Sequence, residues 1–215
     1  MTSFALICEG ITDQAALESI LFGHYDDPDL EINSLQPRRD ATDEARQENF
    51  GGWEQVFEYC GDHEAIQEAL TFNDYLIIQI DTDICEHARF GLSKLNEHGK
   101  DKDETILLSE ARLVLESKLG AQVLPDYSHR IFFAICVHSL ECWLIPLHVS
   151  DKRMARKTKS CENHLERALI KAGTIYEKTY LCYQKLALGY EKRKIIDKEK
   201  ANSQSFSIFL SSLPP

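Results

Sequence analysis

Glu9, Asp81, Asp83 and Glu141 are the residues whose types and positions point to chemistry. Glu9 ends the apolar run FALIC (4–8), Asp81 and Asp83 follow the run YLIIQI (75–80) as Asp-Thr-Asp, and Glu141 lies just beyond RIFFAICVHS (130–139). Carboxylates this far apart in sequence can be gathered by a parallel sheet, because ligands of open α/β sheets bind at the carboxyl ends of strands. A hard cation such as Mg²⁺ takes oxygen ligands, a few of them from protein, with water and substrate phosphates completing its shell. Crowded carboxylates repel one another unless a cation lies between them. The expected site is therefore a divalent-metal centre of Glu9, Asp81 and Asp83, with Glu141 as a fourth acid.

Other chemistries are poorly served. The seven cysteines, at 8, 60, 85, 136, 142, 161 and 182, contain no Cys-x-x-Cys pair, so neither a zinc knuckle nor a disulfide framework is indicated. Cys8 and Cys136 sit in apolar runs and read as small hydrophobes. Ser139 lacks the glycines of a nucleophile elbow, and no Gly-rich P-loop is present. His129, His148 and His164 have no ligand spacing with cysteine. His138 ends a strand and reads as a structural residue within reach of the acids. Trp143, Leu144 and Ile145 read as core, and Asp13 as a helix N-cap. Arg38 and Arg39 could contact phosphate or pair with neighbouring acids.

The elements that must position these residues follow from the hydrophobic pattern. Strands are expected at 4–8, 30–35, 75–80 and 130–139, and most are continuous apolar runs, as strands buried on both faces are. Helices are expected from Thr12 or Asp13 onward, over 53–70 with an interruption near Gly61-Asp62, over 105–120 with Gly120 as a stop, over 139–148, and through most of 151–213. Residues 36–52 and 86–103 read as polar loops. Alternating strands and helices predict an α/β fold with a mostly parallel sheet flanked by helices. Two units are expected: a catalytic domain over 1–149 and a helical extension over 150–215 packed on it.

Charge divides at the same boundary. The chain has 215 residues and a net charge of −11. Residues 1–150 carry a balance of −18 and residues 151–200 one of +7, while 201–215 hold no charged side chain. An acidic body with a basic arm is the result. Lys152, Arg153, Arg156, Lys157 and Lys159 fall within eight residues; such a cluster can follow a phosphate backbone or simply be a solvated helix face. Tyr176, Tyr180, Tyr183 and Tyr190 accompany the basic helices and suit a helical core or base stacking. No basic leader and no apolar run of eighteen residues is present, so a cytoplasmic location without a membrane span is expected.

The motifs also carry a resemblance. ICEGITDQAAL (7–17), an apolar strand, then Glu-Gly, then an acid entering a helix, resembles the first motif of the Toprim superfamily, and LIIQIDTDIC (76–85) resembles the second. HSLECWLIP (138–146) and GGWEQVFEYC (51–60) are similar to stretches of the stand-alone Toprim-like nucleases of bacterial phage-defence systems, the overcoming-lysogenization-defect and RloB-type groups. The resemblance covers separated islands between residues 4 and 146. It implies Glu9 as general base or metal ligand, Asp81 and Asp83 as metal ligands, and Glu141 as a further acidic ligand or structural anchor. It implies Mg²⁺ or Mn²⁺, a DNA or RNA substrate, and an ATPase or sensor protein as partner; homo-oligomers are possible. A lysine assists in part of that family. No motif marks it here, and Lys194 and Lys198 are the candidates.

The expected function is thus metal-dependent phosphodiester hydrolysis in anti-phage defence. Two rivals stand beside it. A haloacid-dehalogenase-like phosphatase or a nucleotide-sugar glycosyltransferase also places Asp-x-Asp after a strand, although the phosphatase carries its pair on the first strand. A degenerate Toprim scaffold would bind a partner without catalysis.

Overall fold

The computed structural model describes residues 2–38 and 51–215. Most of the loop expected at 36–52, with Arg39, lies outside them. The chain folds as four parallel strands, β1 (Ser3–Ile7), β2 (Glu31–Gln36), β3 (Tyr75–Asp81) and β4 (Ile131–Cys136), in the order β2-β1-β3-β4. The helix α1 (Ile11–Tyr25) connects β1 to β2. The pair α2 (Trp53–Gly61) and α3 (His63–Phe72) leads to β3, broken at Gly61-Asp62 as expected, and Asp62 caps α3 by accepting from the Ala65 N–H. The long α4 (Glu104–Tyr127) leads to β4. Gly120 does break helical geometry, at φ 66°, but the helix resumes after it rather than stopping. Between β3 and α4, residues 82–103 hold no helix or strand, only an isolated bridge between Leu95 and Asp101.

Burial explains the apolar runs. Phe4, Leu6 and Cys8 point into one core with α1, whereas Ala5 and Ile7 point into the other with α2, α3 and α4. In β3, Ile77 joins the first core and Leu76, Ile78 and Ile80 the second. Both faces of the sheet are covered, so alternation between apolar and polar is suppressed. The C-terminal helices complete the first core: α5 (Glu141–His148), α6 (Lys152–Ala155), α7 (Cys161–Lys171), α8 (Tyr180–Ala187), α9 (Arg193–Glu199) and α10 (Gln204–Ser212). Trp143 is fully buried against Phe206 and Phe209 and donates its indole N–H to Ser205 Oγ at 2.8 Å. Leu144 and Ile145 are buried with it, as expected. Gly23 lets α1 touch the segment after α8: a Cβ there would meet the Tyr190 carbonyl oxygen at 1.8 Å.

One expectation fails. Cys142 and Cys161 form a disulfide, with Cα atoms 5.0 Å apart, joining α5 to α7. Their separation of nineteen residues follows no motif, and only the packing of the two helices brings them together. Cys8 and Cys136 are fully buried and unbridged. Among the described residues, no helix is long and apolar enough to cross a membrane.

Candidate metal centre

The topology makes the site. From β1 the chain runs outward to β2 over one face of the sheet, then returns past β1 to β3 and on to β4 over the other. The order reverses between β1 and β3, and such a switch point opens a crevice at the carboxyl ends of the strands. Parallel register sets Ile7 beside Ile78 and Asp81 beside Cys136, so Glu9, Asp81 and the turn into α5 arrive at one level.

Glu9 and Asp81 are locked together by main chain. Glu9 accepts from the Asp81 N–H at 2.6 Å and from the N–H of Trp53 at the start of α2. Gln79, fully buried, accepts from the Glu9 N–H at 2.9 Å and donates to Asp81 Oδ1 at 2.8 Å; Asp81 Oδ2 accepts from the Leu140 N–H at 3.3 Å. Glu141 is buried and accepts from Ser139 Oγ at 2.6 Å and Tyr183 Oη at 2.5 Å. Asp83 is exposed at the rim, and its carbonyl accepts from Lys94.

Asp13 is a correction. Gly10, not Asp13, occupies the N-cap of α1; Asp13 lies in the first turn, 8 % exposed, and its charge is felt by Glu9 and Asp81 while it feels that of Glu141. Burial pushes Glu9 up to about 8, with repulsion from Asp13 and Asp83 adding to it against the Asp81 and Trp53 N–H groups. Burial and Glu141 push Asp13 up to about 7. Burial and the surrounding carboxylates raise Asp81 well above the usual range, and burial raises Asp83 against the pull of Lys94.

Two cavities open on this cluster. One, of about 340 Å³, is lined by Glu9, Asp13, Gly51, Trp53 and Lys178; the other, of about 230 Å³, by His138, Ser139, Thr158, Ser160 and Asn163; Asp81, Asp83, Glu141 and Lys178 border both. Lys178, which no motif marks, borders both cavities. Burial works against its charge, but its bond to Glu162 at 2.8 Å and the fields of Glu141 and Asp13 outweigh that, so its pKa is raised. Lys194 and Lys198 line neither cavity, and Lys198 pairs with Glu199. His138 lines the smaller cavity, its Nδ1 3.5 Å from Thr82 Oγ1. His148 instead binds the Leu186 carbonyl, His129 borders a groove beside β4, and Arg38 lies in a pocket with Tyr59.

Five carboxylates and one ammonium thus meet at the switch point. Among the described residues, no three Asp, Glu, His or Cys side chains are drawn in tightly enough to enclose an ion as they stand. The donor set nevertheless suits a hard divalent cation: it is all oxygen, largely withdrawn from water apart from Asp83 at the rim, and mutually repelling. Gln79 could have been noticed as the one polar residue inside β3, and Asp13 from its position in ICEGITD; Lys178 and Tyr183 carry no local signal. No protein-family model matches the chain, and neither a curated protein nor a solved structure does.

Proposed function

We propose that this protein is a divalent-metal-dependent nuclease of the Toprim type, hydrolysing phosphodiester bonds as an effector of bacterial anti-phage defence, with an ATPase or sensor protein as partner. The observation that carries the reading is the convergence of Glu9, Asp13, Asp81, Asp83 and Glu141 at the switch point, with Lys178 facing them. The defence role and the partner rest on the resemblance of the Glu9-Gly10 and Asp-Thr-Asp motifs.

Glu9, Asp81 and Asp83 would hold Mg²⁺ or Mn²⁺, which when bound supplies Lewis-acid stabilisation of charge on phosphate and makes water more acidic. The remaining work belongs to the chain. Gln79 and the Leu140 N–H hold both oxygens of Asp81, so the carboxylate is oriented before substrate arrives. Ser139 and Tyr183 do the same for Glu141. The Asp81 and Trp53 N–H groups hold the Glu9 carboxylate in the same way, so it too is oriented before metal or substrate arrives. Lys178 offers a positive charge to a phosphate that the carboxylates would otherwise repel.

The test is direct. Purified protein with Mn²⁺ should nick a plasmid or cut tRNA, and calorimetry should show Mn²⁺ binding. Glu9→Ala and Asp81→Ala should each lower cleavage by at least about 100-fold while the far-ultraviolet circular dichroism spectrum is kept, a loss of about 2.7 kcal/mol of transition-state stabilisation. Lys178→Ala should retain Mn²⁺ binding and lose cleavage. Undiminished activity in both carboxylate variants defeats the assignment. The loose spacing of the carboxylates favours a second reading, a degenerate non-catalytic site, for which Mn²⁺ binding would be weak and cleavage absent.

A further inference from the structure

We propose that the basic segment Lys152–Lys159, with the flank of α7, is a track that guides the phosphate backbone of a single-stranded nucleic acid into the carboxylate cleft; the inference rests on the nuclease reading.

Three observations carry it. The first is exposure without pairing. Lys152, Arg153, Arg156 and Lys157 are exposed, and among the described residues none of them forms an ion pair, although the first 150 residues carry a balance of −18. Cations placed merely to neutralise that body would lie against its acids. Lys159 alone of the cluster does so, pairing with Asp101 at 2.6 Å.

The second is direction. The segment ends in the wall of the cleft itself: Thr158, Ser160 and Cys161 border the smaller cavity with Asp81 and Asp83. The His138 N–H donates to the Thr158 carbonyl at 3.1 Å and Cys161 is bridged to Cys142, so the cationic run is tied to the turn that carries Glu141. Asp151 caps α6 through the Arg153 and Met154 N–H groups, which holds the run in a defined shape. α6 and α7 also border a separate cavity of about 650 Å³, lined by Arg167 and Lys171 together with His164 and Asp151.

The third is size. The carboxylates border two small clefts, of about 230 and 340 Å³, a scale that suits one phosphodiester strand better than a duplex. A positive groove that follows the backbone is how single strands are bound without sequence preference.

The experiment uses the full chain and a fluorescent 20-nucleotide oligo(dT), the matching oligo(U), and a 20-base-pair duplex, in EDTA so that no cleavage occurs. Anisotropy is measured between 50 and 300 mM KCl. Wild-type protein should bind the single strands more tightly than the duplex. The variant Arg153→Gln/Arg156→Gln/Lys157→Gln should bind oligo(dT) at least about tenfold more weakly at 100 mM KCl, with the slope of log K against log salt shallower by about 2, as expected for three lost phosphate contacts on a single strand. The variant Lys185→Gln/Lys192→Gln/Lys194→Gln removes three exposed cations elsewhere in the basic half and should change binding less than about threefold. Equal losses in the two variants, no loss in the first, preference for the duplex, or no binding by wild type each overturns the track. Binding that depends on the track without any Mn²⁺-dependent cleavage supports the track and sinks the nuclease reading; cleavage of oligo(dT) with unchanged KM in the first variant does the reverse.

Discussion

Glu9 and Asp13 are carboxylic acids held where water is scarce and other acids are near, and their titration follows from that. Glu9 is pushed up to about 8 and Asp13 up to about 7, both far above their ordinary values of 4.5 and 3.8. A group whose folded pKa is raised contributes stability that is complete below its unfolded pKa and lost as pH rises through the folded one. Metal-free protein should therefore weaken from about pH 4 upward, with the share of Asp13 lost by about 7 and that of Glu9 by about 8. His24, pushed down to about 4, has the opposite sign, and its contribution falls away only below pH 6.5. Cys60, pushed up to about 12, acts only above its ordinary value of 9. The window between 6.5 and 8.5 thus isolates the carboxylates. In EDTA the melting temperature should fall by about 5 °C or more across it. With millimolar Mn²⁺ the fall should vanish or reverse, because ligands bind metal in their deprotonated form. A melting temperature in EDTA that stays flat over the window would contradict the buried, mutually repelling arrangement.

At the scale of elements, the start of α2 is fitted to the end of β1. The Gly52 N–H donates to the Glu9 carbonyl at 2.7 Å, and the Trp53 N–H reaches the Glu9 carboxylate. Gly51 makes the approach possible, since a Cβ there would fall 2.0 Å from the Glu9 carbonyl oxygen. Gly51→Ala must push main chain apart, and overpacking of this kind costs about 1–3 kcal/mol. Its larger effect should be on the site: Mn²⁺ affinity measured by calorimetry should fall about tenfold or more, because Glu9 moves with its carbonyl. Unchanged affinity would show that α2 does not position Glu9. From the sequence the pair Gly51-Gly52 reads as the end of a loop and the start of a stretch that carries the resemblance, not as a contact with Glu9. Its role depends on a contact with a residue 42 positions earlier, which no local pattern records.

Across the whole molecule, the C-terminal helices are part of the first core and of the site. Tyr183 of α8 donates to Glu141, Lys178 in the segment before α8 borders the cleft, and Tyr180 donates to Glu18 on α1. The contact of Gly23 with the Tyr190 carbonyl is the closest test of that docking. Gly23→Ala should lower unfolding stability by about 3 kcal/mol in urea titration. Cleavage should fall with it, since displacing this segment moves Tyr183 and Lys178 too. Full stability in the variant would mean that the helices dock without this contact.

What the sequence determined by itself is what local pattern can carry. Continuous apolar runs announced strands buried on both faces, Gly61-Asp62 announced the break between α2 and α3, and Glu9 and Asp81-Thr82-Asp83 announced themselves by ending strands. These signals lie within a few residues of one another, and the strand and helix periods translate them directly into structure. Only the tertiary structure decided the strand order, and with it the switch point that sets Glu9 against Asp81. It decided that Asp13 faces the acids rather than capping α1, that Gln79 ties β1 to β3, that Lys178 and not Lys194 or Lys198 faces the cleft, and that Cys142 meets Cys161. Each of these is a contact across many residues, fixed by how two covered faces of one sheet pack, and packing leaves no spacing in the chain by which it can be read.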